Sequence, residues 1–136
     1  MTESPWLLVA GGRNIILQLF EMYTYKATVL KIVDGDTIDV NIDLGFGIVF
    51  SNQRIRLYGI DAPETRTKDK IEKQRGLVTK LRLQQLCPVG SSISVRTHLR
   101  KRGKYGRILG ELYIDGNKKS VNSILVKEGL AKTAEY

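Results

Sequence analysis

Cysteine and histidine are nearly absent: the chain has one of each, Cys87 and His98, in 136 residues. A single cysteine excludes an intrachain disulfide and a cysteine-rich zinc site, and a single imidazole excludes a histidine pair on a metal. Cys87 closes the apolar stretch LRLQQLC, which reads as a helix end, so a packed, inert thiol is expected rather than a nucleophile. His98, within VRTHLRKR, reads as a strand or rim residue. Long apolar runs are missing too, since none approaches the roughly 20 residues that span a bilayer. The N-terminal WLLVAGG follows Glu3 rather than positive charge and is soon broken by Arg13 and Asn14, unlike a secretory signal. The default expectation is a cytoplasmic protein with no membrane segment. No internal repeat or low-complexity run appears.

Acid is also in short supply, with 14 Asp and Glu against 22 Lys and Arg, for a net charge of +8. Such a surplus suits a polyanionic partner, most simply nucleic acid, or else a solvated basic surface. The apolar fraction of 42% is that of a folded chain, and the length suits one compact domain with a modest core.

What is present falls into two parts. Residues 1–22 form an extension of unknown role, with a short helix expected in NIILQLFEMY, a break at Gly11-Gly12, and Met22 placed where an internal start would stand. From residue 23 the punctuation is regular. YKATVLKIV reads as a strand, Asp34-Gly35-Asp36 as a turn in which glycine supplies a positive φ, and TIDVNIDL as an alternating strand. In that strand Ile38, Val40, Ile42 and Leu44 should face inward, with Asp39 and Asp43 on a solvated face. IVFSNQRIRLYGI gives a third strand, ended by Gly59 and Pro63. TRTKDKIEKQRG reads as an exposed charged loop leading into a helix. Leu77, Val78, Leu81, Leu83 and Leu86 carry that helix's apolar stripe, which Pro88 and Gly90 end. SISVRTHL and RILGELYID supply two more strands, and VNSILVKEG a short helix stopped by Gly129. Five short strands with a helix between the third and fourth is the arrangement of an OB-type barrel.

Three pieces carry possible chemistry: DGDT at 34–37, RLYGIDAPE at 56–64 and KYGR at 104–107. Singly, each has an ordinary structural explanation as a turn, a strand end or a hairpin tip. Together they are harder to explain away. In a meander, the first turn and the end of the third strand meet at one rim, so Asp36 and Asp61 would converge. Paired carboxylates without cations repel unless a hard divalent metal takes their oxygens. Glu64, beyond the rigid Pro63, would hold a water beside that metal, and Arg56 and Arg107 would offer forked donors to phosphate oxygens. Metal, base and paired guanidinium groups are the parts needed for in-line attack on a phosphodiester. The basic stretch RTHLRKRGKYGR reads as a phosphate-tracking rim or a charged hairpin tip. Phe46, Phe50 and Tyr58 would stack bases, or, the plainer use for most of them, pack in the core.

In the order VDGDT, RLYGIDAPET, KYGR and VNSILVKEGLAK, from about Tyr25 to Ala134, these motifs resemble the staphylococcal (thermo)nuclease family. The resemblance implies an α+β fold, a five-stranded OB-fold barrel with two to three short helices packed on it, over residues 23–136. It also implies Ca²⁺-dependent hydrolysis of DNA and RNA to 3′-phosphate and 5′-hydroxyl ends, with one calcium per site and entry favoured for single or frayed strands. By position, Asp36 and Asp61 resemble the calcium ligands, and Ala62 stands where the family uses a backbone carbonyl. Glu64 matches the residue assigned as general base or water organiser. Arg56 and Arg107 match the phosphate-binding arginines, and Lys104 and Tyr105 match nucleotide-contacting residues. Two departures stand out: Glu135 occupies the place of a tyrosine beside the nucleotide, with Tyr136 next to it, and the family's third helix is not represented. An origin in a phage or microbe would fit. The competing reading is a non-catalytic OB-fold module that binds nucleic acid without cutting it.

Overall fold

The computed structural model describes residues 23–102 and 107–135. Lys104, Tyr105 and Tyr136, with the helix and break expected within residues 1–22, lie outside the described residues.

Strand β1 (Thr24–Asp34) turns into β2 (Thr37–Gly45), and β3 (Ile48–Leu57) completes the expected meander. A two-residue strand β4 (Ile60–Asp61) precedes helix α1 (Lys70–Leu86). Strands β5 (Ser92–Arg102) and β6 (Ile108–Tyr113), helix α2 (Val121–Lys127) and the short β7 (Lys132–Thr133) follow. The five long strands close a barrel in the order β1-β2-β3-β6-β5, with β5 returning to β1. All neighbours are antiparallel except β3 and β6, which pair in parallel from Ile55 and Ile108 to Leu57 and Gly110. Register shifts after Val29 and after Ile32 bend β1 around the barrel. This is the OB-type barrel that the strand spacing predicts.

Inward residues of alternating strands fill it: Val29, Ile38, Val40, Ile55, Leu57, Val95 and Leu112 are fully buried. Leu83 and Cys87 from the α1 end and Val121 and Leu125 from α2 join the same core. Burial pushes the Cys87 thiol up to about 12, so it is not ionised near neutrality and behaves as the packed group expected. Asn122 is a polar residue buried beside this core. Its side chain accepts from the Leu112 N–H at 3.1 Å and donates to the Tyr58 and Gly110 carbonyls at 2.8 and 3.2 Å, stapling α2 to β6 and to the end of β3.

Several expectations need correcting. Asp39 is buried, not solvated: it sits opposite Arg54 in the β2–β3 register and takes Nε and Nη2 at 2.9 and 3.1 Å. A fixed guanidinium makes that burial affordable. Leu44 is exposed, and so are Phe46, Ile48, Val49 and Phe50, because the tip of the β2–β3 hairpin runs past the core. Core packing is therefore not the use of Phe46 or Phe50. Helix α1 begins within the supposed loop, because Asp69 caps it by accepting from the Ile71 and Glu72 N–H groups. Its buried residues are Gly76, Thr79 and Leu83, whereas Leu77, Val78 and Leu81 are exposed. Of the expected stripe only Leu83 and Leu86 pack toward the core, and Gly76 and Thr79 take the rest of the inner face, where the helix comes close to the barrel. None of the described helices is long and apolar enough to cross a membrane.

Candidate active site

The site begins at the β1–β2 turn, where Asp34 pairs with Thr37 around Gly35 and Asp36. Gly35 is not among the positive-φ glycines, contrary to the turn chemistry expected of Asp-Gly-Asp. It is required by space instead. A Cβ there would lie 2.6 Å from Thr79 Cγ2 and 3.1 Å from Ala62 Cβ. Helix α1 is itself fastened at this point, since the Thr79 hydroxyl donates to the Leu130 carbonyl at 2.7 Å. The turn, the helix and the Asp61-Ala62 segment thus pack as one unit.

Arg56 organises that unit. It leaves β3 one residue before the strand ends, and its side chain is largely buried. Nη1 donates to the Ile60 carbonyl at 3.0 Å and the Leu57 carbonyl at 3.2 Å, and lies 3.3 Å from Asp36 Oδ2. Nη2 reaches Asp61 Oδ1 at 3.2 Å. Asp36 is further held by the Thr37 hydroxyl on Oδ1 at 3.0 Å and by the Ala62 N–H on Oδ2 at 2.9 Å. Its own carbonyl accepts from the Leu57 N–H at 2.8 Å. Asp61 stands opposite Lys132 in the β4–β7 pair and is 46% exposed at its side chain. The two carboxylates do converge, as the meander requires. Their repulsion is answered by one guanidinium between them.

Glu64 is exposed, just past Pro63, and its backbone rests on α1. A Cβ on Gly76 would lie 2.7 Å from both the Pro63 and the Glu64 carbonyl oxygens, so only glycine admits the segment at this distance. Glu64 shares a cup of about 600 Å³ with Asp61, Asp69, Glu72, Arg75 and Lys132. Arg107 is not in that cup. It lines a second one of about 600 Å³, with Asp34, Thr37, Arg54 and Arg66. Residues 56, 36 and 61 are therefore assembled together, while Glu64 and Arg107 line two different cups. Gly76, Thr65 and Arg66 were not legible as site residues. The Thr65 hydroxyl donates to Asp34 and ties the loop after Pro63 to the β1–β2 turn. Thr65 closes the motif RLYGIDAPET without a role being read for it, and Arg66 directly follows that motif.

Tyr58 and His98 belong to a separate cluster on the barrel wall. Their rings stack at 3.6 Å between centroids with 15° between planes. His98 Nε2 and Arg96 Nη2 both meet Glu111 Oε1, at 3.0 and 2.9 Å. Burial alone would raise the Glu111 carboxyl, but hydrogen bonds and charge from Arg96 and His98 leave it below the usual carboxylate range.

The donors around Asp36 suit a hard divalent cation: two carboxylates, with the Ala62 carbonyl in the adjoining residue, and neither sulfur nor imidazole. No group of three or more His, Cys, Asp or Glu side chains among the described residues is placed to hold a metal. A cation here would take one or two carboxylates and complete its shell with water or substrate oxygens, as hard cations do.

Residues 54–136 match the family model described as Staphylococcal nuclease homologue. The chain is 31% identical over 140 residues to Thermonuclease of Staphylococcus hyicus, covering 100% of this chain and 71% of that protein. It is 35% identical over 111 residues to SPbeta prophage-derived endonuclease YokF of Bacillus subtilis (strain 168), covering 79% of this chain. It is 32% identical over 111 residues to Endonuclease YncB of the same organism, covering 80% of this chain. The chain spans 33% of the length of the first of these Bacillus proteins and 48% of the second.

Proposed function

The chain belongs to the staphylococcal nuclease family, and from that premise we propose that residues 23–136 form a metal-dependent nuclease acting on DNA and RNA. The observation that carries this reading is the convergence of Asp36 and Asp61 on Arg56, beside the turn that presents Glu64. A binding module has no evident physical need for two acids gathered at a buried arginine.

On this reading Asp36, Asp61 and the Ala62 carbonyl hold one divalent cation, calcium. When bound, such an ion polarises a phosphoryl oxygen and favours ionisation of nearby water. The chain's own residues do the rest. Glu64 orients a water and accepts its proton as the oxygen attacks phosphorus. Arg56 and Arg107 donate to the phosphoryl oxygens and offset the charge that grows in the five-coordinate transition state. The bond to the 5′-oxygen breaks as that oxygen takes a proton from solvent water, leaving a 3′-phosphate and a 5′-hydroxyl. Lys104 and Tyr105 contact the nucleotide. The exposed position of Glu64, in an open cup at the rim, favours single or frayed strands, which can bend a phosphate inward.

Labelled single- and double-stranded DNA and RNA, incubated with Ca²⁺, Mg²⁺, Mn²⁺ or EDTA, test the proposal. Calcium-dependent cutting with 3′-phosphate products, lost in Glu64→Gln and Arg107→Ala, is expected. Binding without cutting in every metal would overturn it in favour of a non-catalytic OB-fold module.

A further inference from the structure

The two cups beside the Pro63 turn are alike in volume but opposite in charge. The Glu64 cup gathers Asp61, Asp69 and Glu72 against Arg75 and Lys132. The other brings guanidinium groups from three separate elements: Arg54 from β3, Arg66 from the loop after Pro63, and Arg107 from just before β6. The one carboxylate lining it, Asp34, also accepts from Thr65 next to Arg66. Arg54 is oriented by its two bonds to Asp39 while its side chain remains 50% exposed. Thr37 lines this cup and also donates to Asp36, so the basic cup adjoins the carboxylate cluster through a single residue.

We propose that Arg66 and Arg54, which line the same cup as Arg107, form a subsite for the phosphate next to the scissile one that Arg107 contacts, so that a nucleic-acid strand leaves the catalytic cluster on the Arg66 side. This rests on the nuclease reading and adds a direction to it. Forked guanidinium donors from several elements suit a tetrahedral oxyanion. Val33 is the one apolar residue in the lining, which offers a nucleobase little surface to stack on. The acidic cup would repel the same phosphate, so charge alone separates the two exits. Arg66 is thus a binding residue and not a catalytic one.

The test compares wild type with Arg66→Gln on two substrates: an oligothymidylate with many phosphates, and a nitrophenyl ester of thymidine phosphate with a single diester. The expected result is a rise in KM for the oligonucleotide of about three- to tenfold, with kcat changed less than twofold and the single-diester substrate unaffected. Anisotropy of the labelled oligonucleotide in EDTA reads the same contact without cleavage. There the slope of log affinity against log salt should fall by about 0.7, the value for one single-strand phosphate contact. Arg75→Gln, in the acidic cup, should leave that slope unchanged. Equal losses on both substrates, or no change in the salt slope, would overturn the subsite. If wild type cuts neither substrate in any metal, the nuclease reading fails, and the anisotropy comparison still decides for or against the Arg66 contact.

Discussion

At one end of the β2–β3 hairpin, Asp36 and Arg56 are each only 9% exposed although both carry charge. At the other end, Phe46 is 102% exposed and Ile48 56%, although both are apolar. The same two strands supply both ends, so strand propensity does not decide the difference. Partners do. Every charge at the enclosed end is matched by a named donor or acceptor: Asp36 by Thr37, Ala62 and Arg56, and Arg56 by two carbonyls and two carboxylates. The outer end has run past the barrel, and among the described residues its apolar side chains find too few neighbours to be buried. Asp39, near the start of β2, follows the enclosed pattern through Arg54, and Asp43, near the tip, is exposed and accepts from the nearby Gly45 N–H at 2.8 Å.

The comparison is broken most severely by Arg56→Ala. Two acids would be left facing each other without their cation, with an expected stability loss of about 3–5 kcal/mol. Loss of the phosphate donor should also lower kcat by about 10²–10³-fold. Chemical denaturation and initial rates on an oligonucleotide check the two numbers separately. Gly76→Ala should come next. In an exposed helix this change stabilises by roughly 1 kcal/mol, but here the methyl group meets the Pro63 and Glu64 carbonyls. The expected sign is reversed, to a loss of about 1–3 kcal/mol, with kcat down about 10²-fold as Glu64 is displaced.

A gentler test uses Glu111, a charge satisfied on the barrel wall rather than at the rim. Its carboxyl titrates below the usual range in the folded state, so its contribution to stability is present above the unfolded value of about 4.3 and is lost as pH falls through the folded value. Glu111→Gln should cost on the order of 1 kcal/mol at pH 7, and the gap from wild type should close in acid. Melting curves of both proteins from pH 7 to 3 would reveal it. The smallest effect belongs to the outer end. Phe46→Ser should change stability by less than about 0.5 kcal/mol and leave cleavage rates unaltered. Apolar tips beside an exposed strand edge favour self-association, so elution in size-exclusion chromatography at high concentration should sharpen instead.

Much of the enclosed end was readable before any coordinates. A proline-fixed turn carrying Asp61 and Glu64, an acidic hairpin turn carrying Asp36, and the three-strand meander together require a shared rim. Local chemistry also fixed Pro88 and Gly90 beyond α1 and the alternation from Ile38 to Ile42. Apart from the start of α1, set locally by the Asp69 cap, the misses are long-range. That Asp39 is buried depends on which residue lies across from it, and Arg54 is supplied by the β2–β3 register. That Gly35 serves close packing and not backbone freedom depends on Thr79, which lies on a helix far along the chain. That Leu77 and Val78 face outward depends on how near α1 comes to the barrel. Arg66 looked like one more solvated charge in TRTKDK, and only the closure of the barrel sets it beside Arg54 and Arg107.

The β4–β7 pair makes the rim a clasp between distant parts of the chain. Asp61 lies opposite Lys132, and the Thr79 hydroxyl on α1 takes the Leu130 carbonyl from the same segment. A disturbance of residues 130–133 would therefore reach the carboxylate cluster without touching any member of it.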